Sequence, residues 1–276
     1  METILIKIRK VLLRRATWRA VIAIAVFILL WEVGSRSKQW FGFAMPWVGH
    51  IPPPTAVLAA WSGLLATPGY WHSGYMSLMR VLAGFFTAMV VGIPLGLLMA
   101  VSRSFHGIAF PTFEMLRPIP PLAWVPASII FWPTQELSIA FVTFLGAFFT
   151  VVINVLGGAK SIDVRYFQAA QAMGASQWDI FRRIVLPGTL PSIVVGSAVG
   201  MGITWEVVVA AEMISGGGSQ VGGSGGGLGF FIWNSYVGGS YEQIVVGMIS
   251  IGIAGSLCSE LLRMLGGYVT PWLRKR

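Results

Sequence analysis

The sequence predicts an all-α integral membrane protein with six transmembrane helices, and three observations carry that prediction. Apolar residues make up 55% of the chain and charged residues 11%, roughly half the charged share of a soluble domain. Mean hydropathy is +0.76, more apolar surface than one water-facing core can hide, so the bilayer is the solvent for much of the chain and a soluble enzyme is excluded. The apolar residues fall into six runs, each near the roughly 20 residues that cross a hydrocarbon core. The positive residues behind the +9 net charge follow the loops and form no basic domain with aromatic interleaving, so they do not point to nucleic acid.

In chain order, a basic leader at 1–18 holds Lys7, Arg9, Lys10, Arg14 and Arg15. The run at 19–34 follows. A cleavable signal peptide is its alternative reading, but Ser35, Arg36, Ser37, Lys38, Gln39 and Trp40 carry no small-x-small cleavage pattern, so the run reads as a retained anchor. Further runs occupy 80–101, 111–132, 137–157, 187–211 and 243–265, and a basic tail covers 266–276. Six spans put both termini on one side. With that side cytoplasmic, sixteen Lys and Arg fall inside, among them Arg103, Arg117, Lys160, Arg165, Arg182, Arg183 and Arg263. Only Arg36, Lys38 and Arg80 fall outside. Short loops rich in Lys and Arg stay in the cytoplasm, so this asymmetry sets the orientation and accounts for the basic pI.

The first external loop, 35–79, contains Pro52, Pro53 and Pro54 and then an amphipathic stretch at 55–65 suited to the interface. Trp40, Phe41, Phe43 and Trp47 suit interfacial anchoring. The second, 215–242, has nine glycines between Gly216 and Gly229. It lacks the preceding strand and Gly-Lys-Ser/Thr ending of a phosphate cradle, so composition reads as a flexible loop leading into a short half-buried helix at 228–236. The single cysteine, Cys258, excludes an internal disulfide and reads as a small buried hydrophobe.

One long internal loop remains, 158–186. Its residues favour helix on both sides of Gly174, with Asp163 as an N-cap and Ser176 or Asp179 available to start the second helix. Ala169, Ala170 and Ala172 leave a surface into which another protein can pack, while Phe181, Ile184 and Val185 suit the membrane domain. This stretch resembles the "EAA" loop of ATP-binding-cassette importer permeases. Gln168-Ala169-Ala170 precedes Gly174 by three residues, and Ile184-Val185-Leu186-Pro187 follows after nine. Gln168 replaces the family's glutamate, which keeps hydrogen bonding and removes the charge. Trp31-Glu32, the stretches opening at Arg80, Arg117 and Val209, and Gly227-Leu228-Gly229 resemble the permeases for nitrate, sulfonate, taurine and bicarbonate. The resemblance runs from about residue 18 to the C-terminus. Pyrimidine-precursor permeases of thiamine salvage share much of the pattern, and the glycine stretch at 216–227 is longer than the family leads one to expect.

The resemblance implies a type I ABC importer permease fold, with a permease domain at 19–265 and a coupling loop at 158–186. It further implies a multi-pass protein of the bacterial inner membrane, a homodimer with a second copy of the permease, two ATP-binding subunits below and an external or periplasmic solute-binding protein. Gln168, Ala169, Ala170, Gly174, Ala175 and Ser176 would form the ATPase contact. ATP and Mg would be bound by the partner ATPase, with no catalytic, cofactor or metal site in this chain. The sequence agrees in one respect: Gly157-Gly-Ala-Lys-Ser161 lacks Walker spacing.

Ionisable groups at membrane depth are costly and are therefore functional candidates. Glu206 falls about 28 Å along a helix from Pro187; as a lining carboxylate it would repel an anion unless protonated or paired with a base such as Arg80, which favours a neutral or cationic solute. Glu32 and Glu212 lie near span ends and read as structural or interfacially solvated groups. Arg80 reads equally as a loop anchor or an anion-attracting outer mouth. Glu114 and Arg117, three residues apart, share a helix face and read as a local structural pair. Pro111, Pro118, Pro120, Pro121 and Pro126 must interrupt the third span, and such breaks survive where backbone is buried or lines a watery cavity. Pro118, Pro121, Trp124, Thr204, Trp205 and Glu206 are thus the pathway candidates, with a kinked packing helix as the alternative. Gly92, Gly96, Gly196, Gly200 and Gly202 suit close helix packing.

Two other classes compete. An intramembrane protease using Ser224 has no base to pair with, since His50, His72 and His106 all lie in loops and no His-Glu-x-x-His occurs. An ATP-independent channel or secondary transporter is the stronger rival.

Overall fold

The computed structural model describes residues 15–43, 45–215 and 226–272. The leader at 1–14, the glycine stretch at 216–225 with Ser224, and the tail at 273–276 lie outside the described residues. All regular structure among the described residues is helical. The helices are α1 (Arg15–Ser35), α2 (Ser37–Phe41), α3 (Pro54–Leu65), α4 (Pro68–Val101), α5 (Arg103–Leu116), α6 (Val125–Phe131), α7 (Gln135–Lys160), α8 (Val164–Ala172), α9 (Gln177–Ile180), α10 (Leu186–Ser215), α11 (Leu228–Val237) and α12 (Tyr241–Val269). Among the described residues, five helical segments are long and apolar enough to cross a membrane: Trp18–Ser35, Pro68–Val101, Gln135–Lys160, Gln177–Ile214 and Tyr241–Val269. The chain divides into two compact units, 1–67 with 235–246 and 68–234 with 247–276.

In the first unit, α1 is anchored at its end by Glu32. Arg36 Nε donates to Glu32 Oε1 at 2.5 Å, and the Thr55 N–H and hydroxyl donate to the same carboxylate at 3.2 and 3.0 Å. Glu32 thereby satisfies an N–H at the start of α3, the amphipathic stretch anticipated after the prolines, with Pro54 at its first turn. The structural reading of Glu32 holds. Trp40, Phe43 and Trp47 expose their rings, as interfacial anchors would.

The second unit is built on α4, α7 and α10. α4 starts twelve residues before the apolar run at 80–101, because Pro68 opens a helix and nothing up to Arg80 breaks it. Its 34 residues extend about 51 Å, beyond a roughly 30 Å hydrocarbon core. α4 and α7 run parallel: a side chain at Gly84 would strike Thr143, and one at Gly92 or Gly96 would meet Val151 at 3.3 Å or Val155 at 2.8 Å. α10 runs antiparallel to α7, with Gly196 against Asn154 and Gly200 against Ala147. Between helices in lipid the driving force is close van der Waals packing, which small residues permit. Gly202 departs from that expectation, since nothing lies within 4 Å of its side-chain position.

The third run is not one helix. Pro118, Pro120 and Pro121 separate α5 from a 3₁₀ turn at Pro121–Trp124, and Pro126 sits in the first turn of α6. Three prolines in four residues remove backbone donors and disfavour α geometry in the residues before them. α5 starts beside the Lys160 end of α7, where Lys160 Nζ lies 3.1 Å from His106 Nε2. It then packs Phe113 against Met99, Val152 and Leu156. The crossing therefore begins at Arg103, earlier than the hydropathy places it.

Candidate coupling segment and pathway face

α8 is fastened at both ends by its own sequence. Asp163 accepts the Arg165 N–H at 2.9 Å as N-cap, and the Arg165 guanidinium holds that carboxyl below its usual range. At the other end Gly174 adopts φ +80°, the left-handed conformation that glycine enters without steric cost. Its N–H reaches Gln171 O at 2.9 Å and the Ala175 N–H reaches Ala170 O at 3.0 Å, a Schellman closure. Ser176 and Asp179 then form a capping box on α9. The α9 end passes through a π turn, Phe181–Val185, in which the Leu186 N–H bonds to Phe181 O. Pro187 has no N–H for Arg183 O, and the register slips by one residue ahead of it.

Two faces result. Ala170, Ile180 and Val185 are buried, with Phe167, Ala175, Phe181 and Ile184 partly buried, against Leu97, Val155, Ala159 and Ile193. Gln168, Ala169, Ala172, Gly174 and Ser176 face outward beside exposed Tyr166, Met173 and Trp178. Ala170, grouped in the sequence with the partner-facing alanines, turns toward the bundle, because it stands opposite Ala175 in the Schellman closure. The side behind the outward face packs onto the ends of α4, α7 and α10.

The pathway candidates separate in a similar way. Thr204 is buried with its hydroxyl on Gly200 O at 2.9 Å, and Trp205 lies in the core with Phe85, Val142 and Val208. Trp124 is half-buried against Phe141. These three are packed against neighbouring side chains, Thr204 and Trp205 on the sides of α10 that meet α7 and α12. Pro118 and Glu206 are exposed, and Glu206 continues a stripe on α10 with Val195, Val199 and Gly202. Pro121 lines a cleft of about 270 Å³ with Arg117, Gly146, Phe149, Thr150 and Ile203. Arg117, assigned from sequence to a cytoplasmic span end, instead stands beside the middle turns of α7 and α10, because α5 has already climbed about 21 Å from Arg103.

Arg80 is buried and held by two carboxylates. Its Nη1 donates to Glu212 Oε1 at 2.9 Å, while Nε and Nη2 donate to Glu136 at 2.9 and 2.5 Å. Glu212 is fully buried. It also accepts from Ser77 Oγ at 2.8 Å and from the Gly229 N–H at 2.9 Å, and Ser77 in turn accepts the Leu228 N–H at 2.8 Å. Two orphan N–H groups of the α11 N-terminus are thus met by a carboxylate and a hydroxyl, with charge of the sign its dipole favours. A side chain at Gly227 or Gly229 would collide with Glu212 or with the Val209 carbonyl, which explains the glycines flanking Leu228. Ser77 and Glu136 were not singled out from sequence. Glu136 lies in the first turn of α7, after the N-cap Thr134.

Comparison with known proteins places this architecture. Residues 92–275 match the family described as the binding-protein-dependent transport system inner membrane component. An ABC transporter permease protein of Methanocaldococcus jannaschii is 38% identical over 76% of each chain. The nitrate import permease protein NrtB of Synechocystis sp. is 32% identical over 92% of this chain and 89% of its own, and the taurine transport system permease protein TauC of Escherichia coli is 33% identical over 80% of each. A chain of the MetNI methionine ABC transporter in an inward-facing form superposes with a TM-score of 0.60 at 20% identity, covering 74% of this chain and 99% of its own. A chain of the bacterial alginate ABC transporter, crystallised with an alginate pentasaccharide-bound periplasmic protein, gives 0.56 at 14% identity over 97% and 96%. At such identities the two structures speak for the fold alone. The glycine-lined helix packing, the broken third crossing and the capped α8–α9 turn are therefore those of a permease, and the chain belongs to the family of binding-protein-dependent transport system inner membrane components of ABC importers.

Proposed function

We propose that two copies of this chain form the membrane pathway of an importer for a small oxyanion or sulfonate, of the nitrate, taurine or bicarbonate kind. In this reading an external binding protein delivers the solute, and two partner subunits binding ATP and Mg drive the cycle. The carrying observation is the outward face of α8 and α9, from Gln168 to Ser176, held rigid by Asp163, Gly174 and the Ser176–Asp179 box. A groove in an ATPase would receive this face, and closure of the ATPase pair would tilt the bundle through the contacts of Ala170, Ile180 and Val185. The Lys and Arg distribution supports cytoplasmic termini and a cytoplasmic α8. The names of the relatives support the solute class.

Glu206 favours a second reading. It is exposed on the open stripe of α10 and has no hydrogen bond or ion pair among the described residues, an arrangement suited to a neutral or cationic solute such as a pyrimidine-type thiamine precursor. The test is reconstitution of the chain with its cognate ATPase and binding protein in proteoliposomes, supplied with nitrate, taurine, bicarbonate or an aminopyrimidine. ATP-dependent uptake of one of the anions supports the first reading, and uptake of the pyrimidine alone supports the second. Uptake by the chain without an ATPase refutes both in favour of a secondary transporter or channel.

A further inference from the structure

The cleft at Arg117 has a composition that helix packing does not require. It opens on α7 at Gly146, Phe149 and Thr150, with Arg117 and Pro121 on one side and Ile203 of α10 on the other. Thr150 lies ten residues from the Lys160 end of α7, about 15 Å, so the cleft is central in the bundle. A guanidinium at this depth is costly unless it is paired or serves a route. Arg117 is only partly paired: Nη1 donates to Glu114 Oε1 at 2.9 Å, and no other hydrogen bond of its side chain occurs among the described residues. A guanidinium carries five N–H donors in a planar fork, so an edge of it remains available. The carboxylate that occupies the first edge comes from one turn earlier on the same helix and is itself partly exposed. It is held by one bond, not by the bidentate pairing that makes arginine–carboxylate contacts strong.

The volume, about 270 Å³, has room for roughly nine waters at their liquid volume. That accommodates a sulfonate or a partly hydrated nitrate. Thr150 adds a hydroxyl, and the remaining walls are apolar, so the arginine is the group able to discriminate by charge. Arg117 is the C-cap of α5, still in helical conformation with its N–H on Phe113 O at 3.0 Å, and the break at Pro118, Pro120 and Pro121 ends the helix at the cleft.

We propose that Arg117 is the specificity-determining residue of the passage. Its free N–H edge pairs with two oxygens of a planar or tetrahedral oxyanion in the cleft, and Glu114 is the counterion that holds the empty guanidinium and yields as the anion arrives. This rests on the oxyanion reading of the permease. Glu114 keeps the unoccupied site neutral, and its single bond leaves the exchange shallow enough for the anion to depart.

The test uses the full reconstituted complex with nitrate and taurine as probes. Arg117→Gln should lower uptake of the transported anion by about tenfold or more, with yield of the assembled complex retained. Arg117→Lys should restore part of the rate with a raised KM, because a lysine supplies charge without the fork. Glu114→Gln, which leaves the arginine in place, should lower the KM for the anion. A merely structural pair would instead make all three variants lose assembled complex together, with KM unmoved in what remains. Wild-type KM and rate in an assembled Arg117→Lys complex, together with an unchanged KM in Glu114→Gln, would overturn the assignment while leaving the permease reading intact. A wild-type complex that moves neither anion would overturn the oxyanion reading and this assignment with it.

Discussion

Arg80 Nη1 and Glu212 Oε1 meet at 2.9 Å inside the bundle, although 132 residues separate them in the chain. The pair joins α4 to the end of α10, and through Gly229 it holds the start of α11. A buried pair of this sort adds little over an apolar contact of equal size, but losing one partner strands the other charge. Its value is therefore positional: it fixes three elements at the end of the bundle remote from α8.

Glu212→Ala should destabilise the purified protein by about 3–5 kcal/mol, since it leaves a buried guanidinium and the Gly229 N–H without their acceptor. Glu136→Gln should cost no more than about 1 kcal/mol, because the Glu136 side chain is 56% exposed and water replaces the lost contact. Thermal unfolding in detergent of both variants checks the ordering. Equal losses would mean that Arg80 depends on the exposed partner as much as on the buried one.

Gly174→Val should uncouple ATP hydrolysis from transport while insertion into the membrane is retained. A β-branched residue at φ +80° is strained by about 1–2 kcal/mol or more, and the Schellman bonds to Gln171 and Ala170 are the first to be released. Uptake per ATP hydrolysed, measured on correctly inserted protein, is the readout. Wild-type coupling in that variant would remove the α8 turn from the ATPase contact.

The Asp163 carboxyl, held below its ordinary value of 3.8 by Arg165, has a definite pH signature. A depressed carboxyl favours the capped helix at all pH above the unfolded value, and this contribution is lost as pH falls from there through the folded value. Amide exchange at Arg165 and Tyr166 should therefore quicken below about pH 3.8. Asp163→Asn should abolish that dependence while retaining a side-chain oxygen for the Arg165 N–H. A pH profile unaltered by the substitution would assign the protection to tertiary packing alone.

Orientation is checked by labelling. After Cys258→Ser removes the native thiol, a cysteine at exposed Thr67 should react with an impermeant maleimide in intact cells, and one at exposed Gln177 only after permeabilisation. The reverse pattern would invert the topology.

The local structure of α8 and α9 was legible because its signals are short-range. Asp163, Gly174 and the Ser176–Asp179 box each act within two to five residues, so the residue types alone forecast the N-cap, the turn and the restart. The Arg80 cluster was not legible, since no local pattern joins Ser77, Glu136 and Glu212 across α4, α7 and α10. The burial of Thr204 and Trp205 was not legible for a related reason. α10 is apolar on every side, so periodicity cannot say which face meets α7, and an apolar indole satisfies core and cavity equally in a hydropathy profile. Arg117 was read at a span end because hydropathy locates runs, whereas the depth of a residue after a proline break depends on where the preceding helix is pinned, here by Lys160 and His106.

Glu206 provides the sharpest division between the two solute classes. It stands three residues beyond Ile203 on α10, about 4.5 Å further along the helix, on the stripe that also carries Gly202. If the route follows that stripe, a passing anion meets a carboxylate before or after it meets Arg117, and the like charge opposes it. Glu206→Gln keeps the shape and removes the charge. For an anionic solute the substitution should raise the uptake rate, with binding-protein affinity unchanged; for a cationic solute it should lower the rate; and for a neutral one it should move neither. A residue that instead meets the second copy of the chain would register in assembly, as a lower yield or Tm of the complex. Uptake of nitrate, taurine and an aminopyrimidine, measured beside the Tm of the same preparations, separates these outcomes. A faster anion rate at unchanged Tm would place both charges on one route, with Arg117 attracting the solute and Glu206 limiting how readily it passes.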